Sequence, residues 1–421
     1  MNVFAEKVLI EAKKLFKKYD VLYISYDDFL EPLASAQIIP YLKGLARKGI
    51  SCLALDFAKN KDCRSAKDVS RVEQELSSLG IRWRRLRYHK YPLVLSTFFD
   101  VIYGTCLSFW LIRKYEIKIV HARSYVAAII ALILQKICRV KFIFDMRGFW
   151  VDERVEAGIW KRNAWLYKLG KYFEQILLKN ADVIISLTQA ARKAIEKYPC
   201  LSGKQIDIVC IPTCVDLDRF RYKSNGAETK IGSSIKGKIV LAYAGSISTW
   251  FMPEQMLSFF QSAIRCIPLA HLLVLTKEKT LFEGILRDYG FRKDLVSVIN
   301  AEHSLVADYL SLGRAGLAFY KPGSSRRGCC PTKIGEYLAC GLPVIINSGI
   351  GDTEQILQKE QVGIIVKEFT NVEYERVSCR LQELLKDKTL GQRCRQAAYR
   401  YFALDEGIES YQQAYHKLLQ R

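Results

Sequence analysis

Short apolar runs recur along this 421-residue chain, each followed by a longer amphipathic segment, and that alternation restricts the fold more than any other feature. The first half gives DVLYISYDD (20–28), ISCLALDF (50–57), IKIVHARS (117–124), VKFIFDMRG (140–148), DVIISLT (182–188) and IDIVCIPTCV (206–215). Such runs are too short for helices, and apolar density on both faces is what strands between two helix layers need. Strand, helix, strand in regular alternation makes a parallel doubly wound sheet. After a polar Gly- and Ser-bearing stretch at 222–238 the pattern restarts with KIVLAYAG and runs through LLVLT, VSVIN, AGLAFY, LPVIIN and VGIIVKE. The expectation is an α/β chain of two Rossmann-like domains, 1–214 and 215–400, with residues 401–421 as a last helix.

Half of the residues are hydrophobic, which excludes a disordered chain, and the formal charge of +21 calls for acidic partners. Anionic membrane and phosphorylated substrates fit that charge. Nucleic acid is not expected, because neither zinc-finger spacing nor an aromatic RNP-like motif occurs. Thirteen cysteines are scattered without a CxxC pair, so ordinary thiols in a reducing cytosol are expected rather than a disulfide framework. No signal peptide is apparent, and a cytoplasmic location is expected, with peripheral attachment at the inner face of the cytoplasmic membrane left open.

The densest stretch runs from Ala315 to Ile356. AGLAFYK reads as a buried strand, PGSSRRG as a basic loop, PTKIGEYLAC as a helix with Pro331 in its first position, and DTEQILQ as a helix capped by Asp352. A basic loop feeding a helix amino terminus suits an anion. The N–H groups of Cys330 to Lys333 and the cations of Arg326, Arg327 and Lys333 converge there, and phosphate oxygens fit them. One turn further on, Glu336 stands where a carboxylate accepts hydrogen bonds from a ribose diol. The stretch has the makings of half a nucleotide site.

The run PTKIGEYLACGLPVI, with GIGDTEQI behind it, resembles the carboxyl-terminal donor motif of family 4 glycosyltransferases, and FDMRGFW (144–150) resembles a bacterial subgroup of them. The resemblance implies a GT-B fold, with two Rossmann-like domains facing a cleft, a hinge at CVDLDRF (214–220), and a last helix crossing back onto the first domain. It also implies an activity: retaining, metal-independent transfer of a sugar from a nucleotide-diphospho-sugar, the co-substrate, to a surface-glycan or lipid-linked acceptor, without a cofactor. Under that reading Glu336 binds the donor ribose, and Gly245, Ser246, Lys277, Lys321, Arg327 and Thr332 line the donor site. Asp145, Arg147, Arg326 and Lys333 are the catalytic candidates, Arg326 and Lys333 stabilising the leaving diphosphate and Asp145 and Arg147 contacting the acceptor or the transferred sugar. Ser35, Gln37, Arg123 and Glu153 belong to the acceptor side of the cleft, with His121 beside them.

Two departures stand out. Many family members carry a glutamate eight residues before the ribose-binding one, where this chain has Gly328. Many also place an arginine and a lysine after the glycine matching Gly245, where this chain has Ser246, Ser248, Thr249 and Trp250. They keep open a non-catalytic GT-B scaffold at a membrane, and another GT-B nucleotide-sugar enzyme such as an epimerase.

Two segments bear on membranes. Residues 3–18 form either a helix packed on the first domain or a basic amphipathic helix on an anionic bilayer. Residues 91–112 follow the basic run RWRRLRYHK and carry a single charge, Asp100; a domain helix, a shallow insertion and a span all fit that length.

Overall fold

The structure, a computed structural model, describes residues 18–59, 66–221, 235–292, 294–302 and 305–420. The helix expected at 3–18 lies outside the described residues but for Lys18, as does most of the 222–238 linker. Strands β1 (Val21–Ser25), β2 (Cys52–Ala58), β3 (Arg82–Arg87), β4 (Ile119–Arg123), β5 (Lys141–Asp145), β6 (Val183–Ser186) and β7 (Asp207–Cys210) form one sheet in the order β3-β2-β1-β4-β5-β6-β7. Strands β8 (Ile239–Ala244), β9 (Ala270–Leu275), β10 (Val296–Ile299), β11 (Ala315–Ala318), β12 (Val344–Asn347) and β13 (Gly363–Val366) form a second, in the order β10-β9-β8-β11-β12-β13. Strand pairing is parallel throughout both sheets.

The strand order explains why the strands are so apolar. From β1 the chain steps outward to β3, then returns past β1 to β4, and right-handed crossovers put the helices of the two excursions on opposite faces. Helices Leu93–Tyr115, Ser124–Cys138 and Trp165–Asn180 share one core with Leu22, Leu55 and Phe144. Helices Pro32–Arg47 and Ala66–Ser78 share the other with Val21, Tyr23 and Ile143. Reversal of the strand order between β1 and β4 opens a crevice at the carboxyl ends of the strands. The register aligns Ser25, Arg123 and Asp145 at that end.

One strand is hidden in the sequence. The run RWRRLR is β3, an edge strand that buries Trp83 and Leu86 and leaves Arg84 and Arg87 exposed. Charge on an edge discourages pairing with another chain. Helix Leu93–Tyr115 then links β3 to β4, with both ends tied to one sheet and Val101, Leu111, Ile112 and Tyr115 in the core. That placement rules out the span and retains the domain helix.

The last helix, Leu404–Leu419, crosses back onto the first sheet's helices as expected. Its Ile408 lies so close to helix Pro32–Arg47 that a Cβ at Gly44 would sit 2.1 Å from Cδ1. The crossing occurs at the hinge: Val215 donates its N–H to the Phe402 carbonyl at 2.8 Å and accepts from Leu404 at 3.2 Å. The outgoing and returning chains are therefore stitched together at one residue.

Candidate functional site

In the second half, the carboxyl ends of β8 and β11 meet the amino terminus of helix Thr332–Ala339. Pro331 is the cap residue there, not the first helical one, with extended backbone. Lys333, in the first turn, is buried, and its ammonium sits 4.0 Å from the ring centre of Tyr243, 3.9 Å from that of Phe251 and 5.6 Å from that of Tyr320. Among the described residues its Nζ has no hydrogen-bond partner. Gly245 passes directly over it: a Cβ there would lie 2.9 Å from Nζ, and the residue's φ of 141° also favours glycine. Burial brings the lysine down to about 7, with Glu336 pulling the other way. Burial likewise pushes Glu336 up to about 7, opposed by Lys333 and Arg219. An ammonium against aromatic faces, without a hydrogen bond among the described residues, is a group that a nearby anion would stabilise.

The turn after Gly245 already holds one anion. The carboxylate of Glu278, which precedes helix Lys279–Arg287, accepts from the Ser246 hydroxyl at 2.8 Å, the Ile247 N–H at 2.5 Å, the Ser248 N–H at 3.1 Å and the Ser248 hydroxyl at 2.8 Å. These donors hold its carboxyl below the usual range despite desolvation. The Ser246–Ser248 turn thus has the donor geometry for an oxyanion, with an internal carboxylate in it.

Arg326 lies across the cleft from the first half. Its guanidinium stacks 4.2 Å from the Trp250 ring centre, and it comes within 3.9 Å of Glu153 and 3.8 Å of Glu156, both on helix Trp150–Glu156. Glu156 also accepts from the Ser325 N–H at 2.8 Å and the Ser324 hydroxyl at 3.1 Å. Asp352, expected to cap its own helix, makes no such bond; its carboxylate accepts instead from the N–H groups of Gln189 (2.6 Å) and Ala190 (2.9 Å), capping helix Gln189–Ile195 of the other half. Thr188 donates to the Arg327 carbonyl at 2.5 Å. Gly328 packs against the same wall, where a Cβ would lie 2.9 Å from the Phe149 ring and 3.2 Å from the Gly148 Cα. The halves are closed on one another here, and in this closed state the Gly328 position has no room for a glutamate.

In the first half, five of the expected residues come together. Asp145, at the end of β5, is fully buried; it accepts from the Tyr411 hydroxyl at 3.0 Å and lies 3.9 Å from both Arg123 and Arg147. Burial raises its pKa, but Arg147, His121 and Arg123 outweigh that and hold it at about 2. Arg147 adopts a left-handed backbone (φ 58°) and reaches the Gln37 amide oxygen at 3.5 Å, while Gln37 donates to the Cys214 carbonyl of the hinge. His121, whose pKa burial lowers, shares a 2.6 Å hydrogen bond between its Nδ1 and the Tyr415 hydroxyl. Tyr411 and Tyr415 belong to the returning helix, so this cluster ties the sheet's carboxyl edge to the crossover.

Ser35 is half-buried in the first turn of helix Pro32–Arg47, and Thr332 is half-buried at the head of its helix. Lys277, Lys321 and Arg327 are exposed, with the Arg327 guanidinium over Phe149 at 4.6 Å. Glu156 and Tyr411 went unnoticed in the sequence because each occupies an ordinary helical position, and Glu278 because it precedes a helix like any other turn residue. The sole signal for Glu278 was its place after a strand beside Lys277.

Two Rossmann-like sheets facing a closed cleft, with the last helix crossing back, define the GT-B class. Residues 41–219 match the family model Glycosyltransferase Family 4, and residues 306–387 match Glucosyltransferase 3-like, C-terminal domain. The chain is thus similar in its first half to Glycosyltransferase Family 4, and in part of its second half to the carboxyl-terminal domain of Glucosyltransferase 3-like proteins. Among solved structures it is similar to sucrose-phosphate synthase from Thermosynechococcus elongatus (TM-score 0.70, 15% identity, 96% of this chain and 100% of that one). A glycosyltransferase from Rickettsia africae (0.69, 14%, 96% and 99%) and Anabaena HepE in complex with UDP and glucose (0.67, 12%, 94% and 99%) share the fold. No match was found among curated proteins.

Proposed function

We propose that the protein moves a sugar from a nucleotide-diphospho-sugar to a surface-glycan or lipid-linked acceptor, with retention and without a metal ion or cofactor, at the cytoplasmic side of a membrane. The observation that carries this reading is the buried, unpartnered ammonium of Lys333 under Gly245, one turn from Glu336. A diphosphate at the head of helix Thr332–Ala339 would give that ammonium its counter-ion, and the ribose hydroxyls would donate to Glu336. The complexes of Anabaena HepE with UDP and UDP-glucose, on the same fold, support a donor of this class.

In the reaction the bond from the sugar's anomeric carbon to the diphosphate oxygen breaks and a bond to the acceptor oxygen forms on the same face. The leaving phosphate takes the acceptor's proton. Lys333 and Arg326 meet the charge that grows on the diphosphate, and Arg327 and Lys321 add to the field. Asp145 orients Arg123 and Arg147 at the acceptor side, beside Gln37.

A second reading, a non-catalytic GT-B scaffold, is favoured by one feature: Glu278 already takes the donors of the Ser246–Ser248 turn. Thermal stabilisation across a panel of nucleoside diphosphates, followed by hydrolysis of the matching nucleotide sugar without acceptor, separates the two. A nucleotide-specific shift that Glu336→Ala removes, together with slow donor hydrolysis, supports the transferase. A folded protein with no shift and no hydrolysis refutes it.

A further inference from the structure

The outer surface of the helix layer formed by Leu93–Tyr115, Ser124–Cys138 and Trp165–Asn180 is apolar where a soluble domain would be polar. From Val94 to Trp110 every exposed side chain is aliphatic, aromatic or a cysteine, an uninterrupted stripe of roughly 25 Å at 1.5 Å per residue. Leu95 is 67% exposed and Phe98 64%, and on the third helix of the layer Trp165 is 65% and Tyr172 62% exposed. Between them, the outward side of Ser124–Cys138 offers Val126, Ile129, Leu132 and Ile133, all half-buried. Scattered exposed apolar residues need no explanation, but a continuous face of this size marks an interaction surface.

Its charges indicate the partner. Arg87 and Lys90 precede the stripe, Arg113 and Lys114 follow it, and Lys161, Arg162 and Lys168 flank the third helix, all exposed. Lys114 lies 4.5 Å over the Trp110 ring and Lys90 5.2 Å over that of Tyr91. The one acid within Leu93–Tyr115, Asp100, points inward, where it accepts from the Tyr26 hydroxyl at 2.9 Å and meets His89 at 2.6 Å. Aromatic side chains rimmed by cations, with no outward carboxylate inside the helix and the exposed Glu116 just beyond it paired with Lys18, match the boundary between acyl chains and anionic headgroups. A second copy of the chain matches them poorly, because two molecules of charge +21 meeting through this face would oppose their basic rims.

We propose that the outer face of this three-helix layer docks, in the plane of the surface, on an anionic lipid bilayer. Because helix Leu93–Tyr115 starts from the carboxyl end of β3, the Tyr91–Phe99 end of the stripe adjoins the cleft mouth. Docked this way, the cleft faces the headgroup layer and receives a lipid-linked acceptor laterally. That last step rests on the glycosyl-transfer reading above, whereas the docking itself does not.

The test is flotation of the full chain with vesicles of phosphatidylcholine, with and without phosphatidylglycerol. The parent should float with the anionic vesicles, and a Leu95→Ser/Phe98→Ser/Ile102→Ser variant should partition at least ~10-fold less. Arg113→Gln/Lys114→Gln should lose about five-fold per charge on anionic vesicles and nothing on neutral ones. Folding of each variant is checked by its melting temperature and its response to nucleoside diphosphates, neither of which should change. The proposal is overturned if the parent stays with the aqueous fraction, or if the folded triple variant floats as well as the parent. It is equally overturned if the triple variant only turns a lipid-free dimer into a monomer, since the face then belongs to a second copy. A parent that floats but ignores every nucleoside diphosphate upholds the docking surface and removes the donor reading.

Discussion

Replacing Lys333 by methionine should make the protein more stable and abolish its response to nucleotide. The ammonium is buried against Tyr243 and Phe251 with no hydrogen-bond partner among the described residues, and burial brings its pKa from the ordinary 10.5 to about 7. At about 1.4 kcal/mol per pH unit, that drop corresponds to a native-state penalty of ~5 kcal/mol. The two aromatic faces return ~1–2 kcal/mol each, which leaves ~2 kcal/mol to be gained by a methionine that fills the same cage. The sign with pH follows from linkage. Above pH 10.5 the lysine is neutral in both states and contributes nothing. As pH falls from 10.5 to 7 the unfolded chain holds a proton that the native state lacks, so the penalty grows, and below 7 it is constant. Differential scanning fluorimetry should therefore show Lys333→Met melting ~4–8 °C above the parent at pH 7, taking ~2–4 °C per kcal/mol for a domain of this size. The gap should shrink as pH rises toward 10. Nucleoside diphosphates should shift the parent and leave the variant unmoved. A variant that melts at or below the parent at pH 7, or that keeps its nucleotide shift, refutes the argument that this ammonium waits for an anion.

Other outcomes follow from the same geometry. Burial holds both Glu336 and Lys333 near 7, so as pH drops from 8 to 6 the carboxyl loses its hold on the ribose while the lysine gains charge for the diphosphate. By calorimetry Glu336→Gln should bind nucleoside diphosphates about 10–100-fold more weakly at pH 8 and show only the second effect, an affinity that rises as pH falls. Asp352→Ala removes the cap that the second half places on helix Gln189–Ile195, costing about 1 kcal/mol of closure, and should raise the radius of gyration in small-angle scattering until ligand is added. Tyr411→Phe takes a hydrogen bond from the buried Asp145 carboxylate and should lower stability by about 1.5–3 kcal/mol in urea titration, with no change in nucleotide affinity.

The sequence by itself determined the class of fold. Strand-length apolar runs such as VLYIS and VIIN can be satisfied only between two helix layers, and their repetition on either side of residues 222–238 separates the two sheets. A candidate anion site could be read from the sequence for a similar reason: Arg326, Lys333 and Glu336 are close in sequence, on one loop and the helical turns that follow it. What the sequence could not state was what each side chain faces. β3 escaped notice because its arginines break the apolar pattern, although an edge strand needs only Trp83 and Leu86 inward. Asp352 looked like the cap of its own helix and caps another 163 residues away in sequence, a pairing that exists only when the halves close. Glu278 filling the serine turn, Tyr411 on Asp145 and the Phe149 wall at Gly328 are contacts of the same kind. The length of residues 91–112 admitted a domain helix, a shallow insertion and a span. Tertiary structure decided among them, because the direction of a side chain depends on which neighbours the sheet brings to its helix, and periodicity alone does not supply those neighbours.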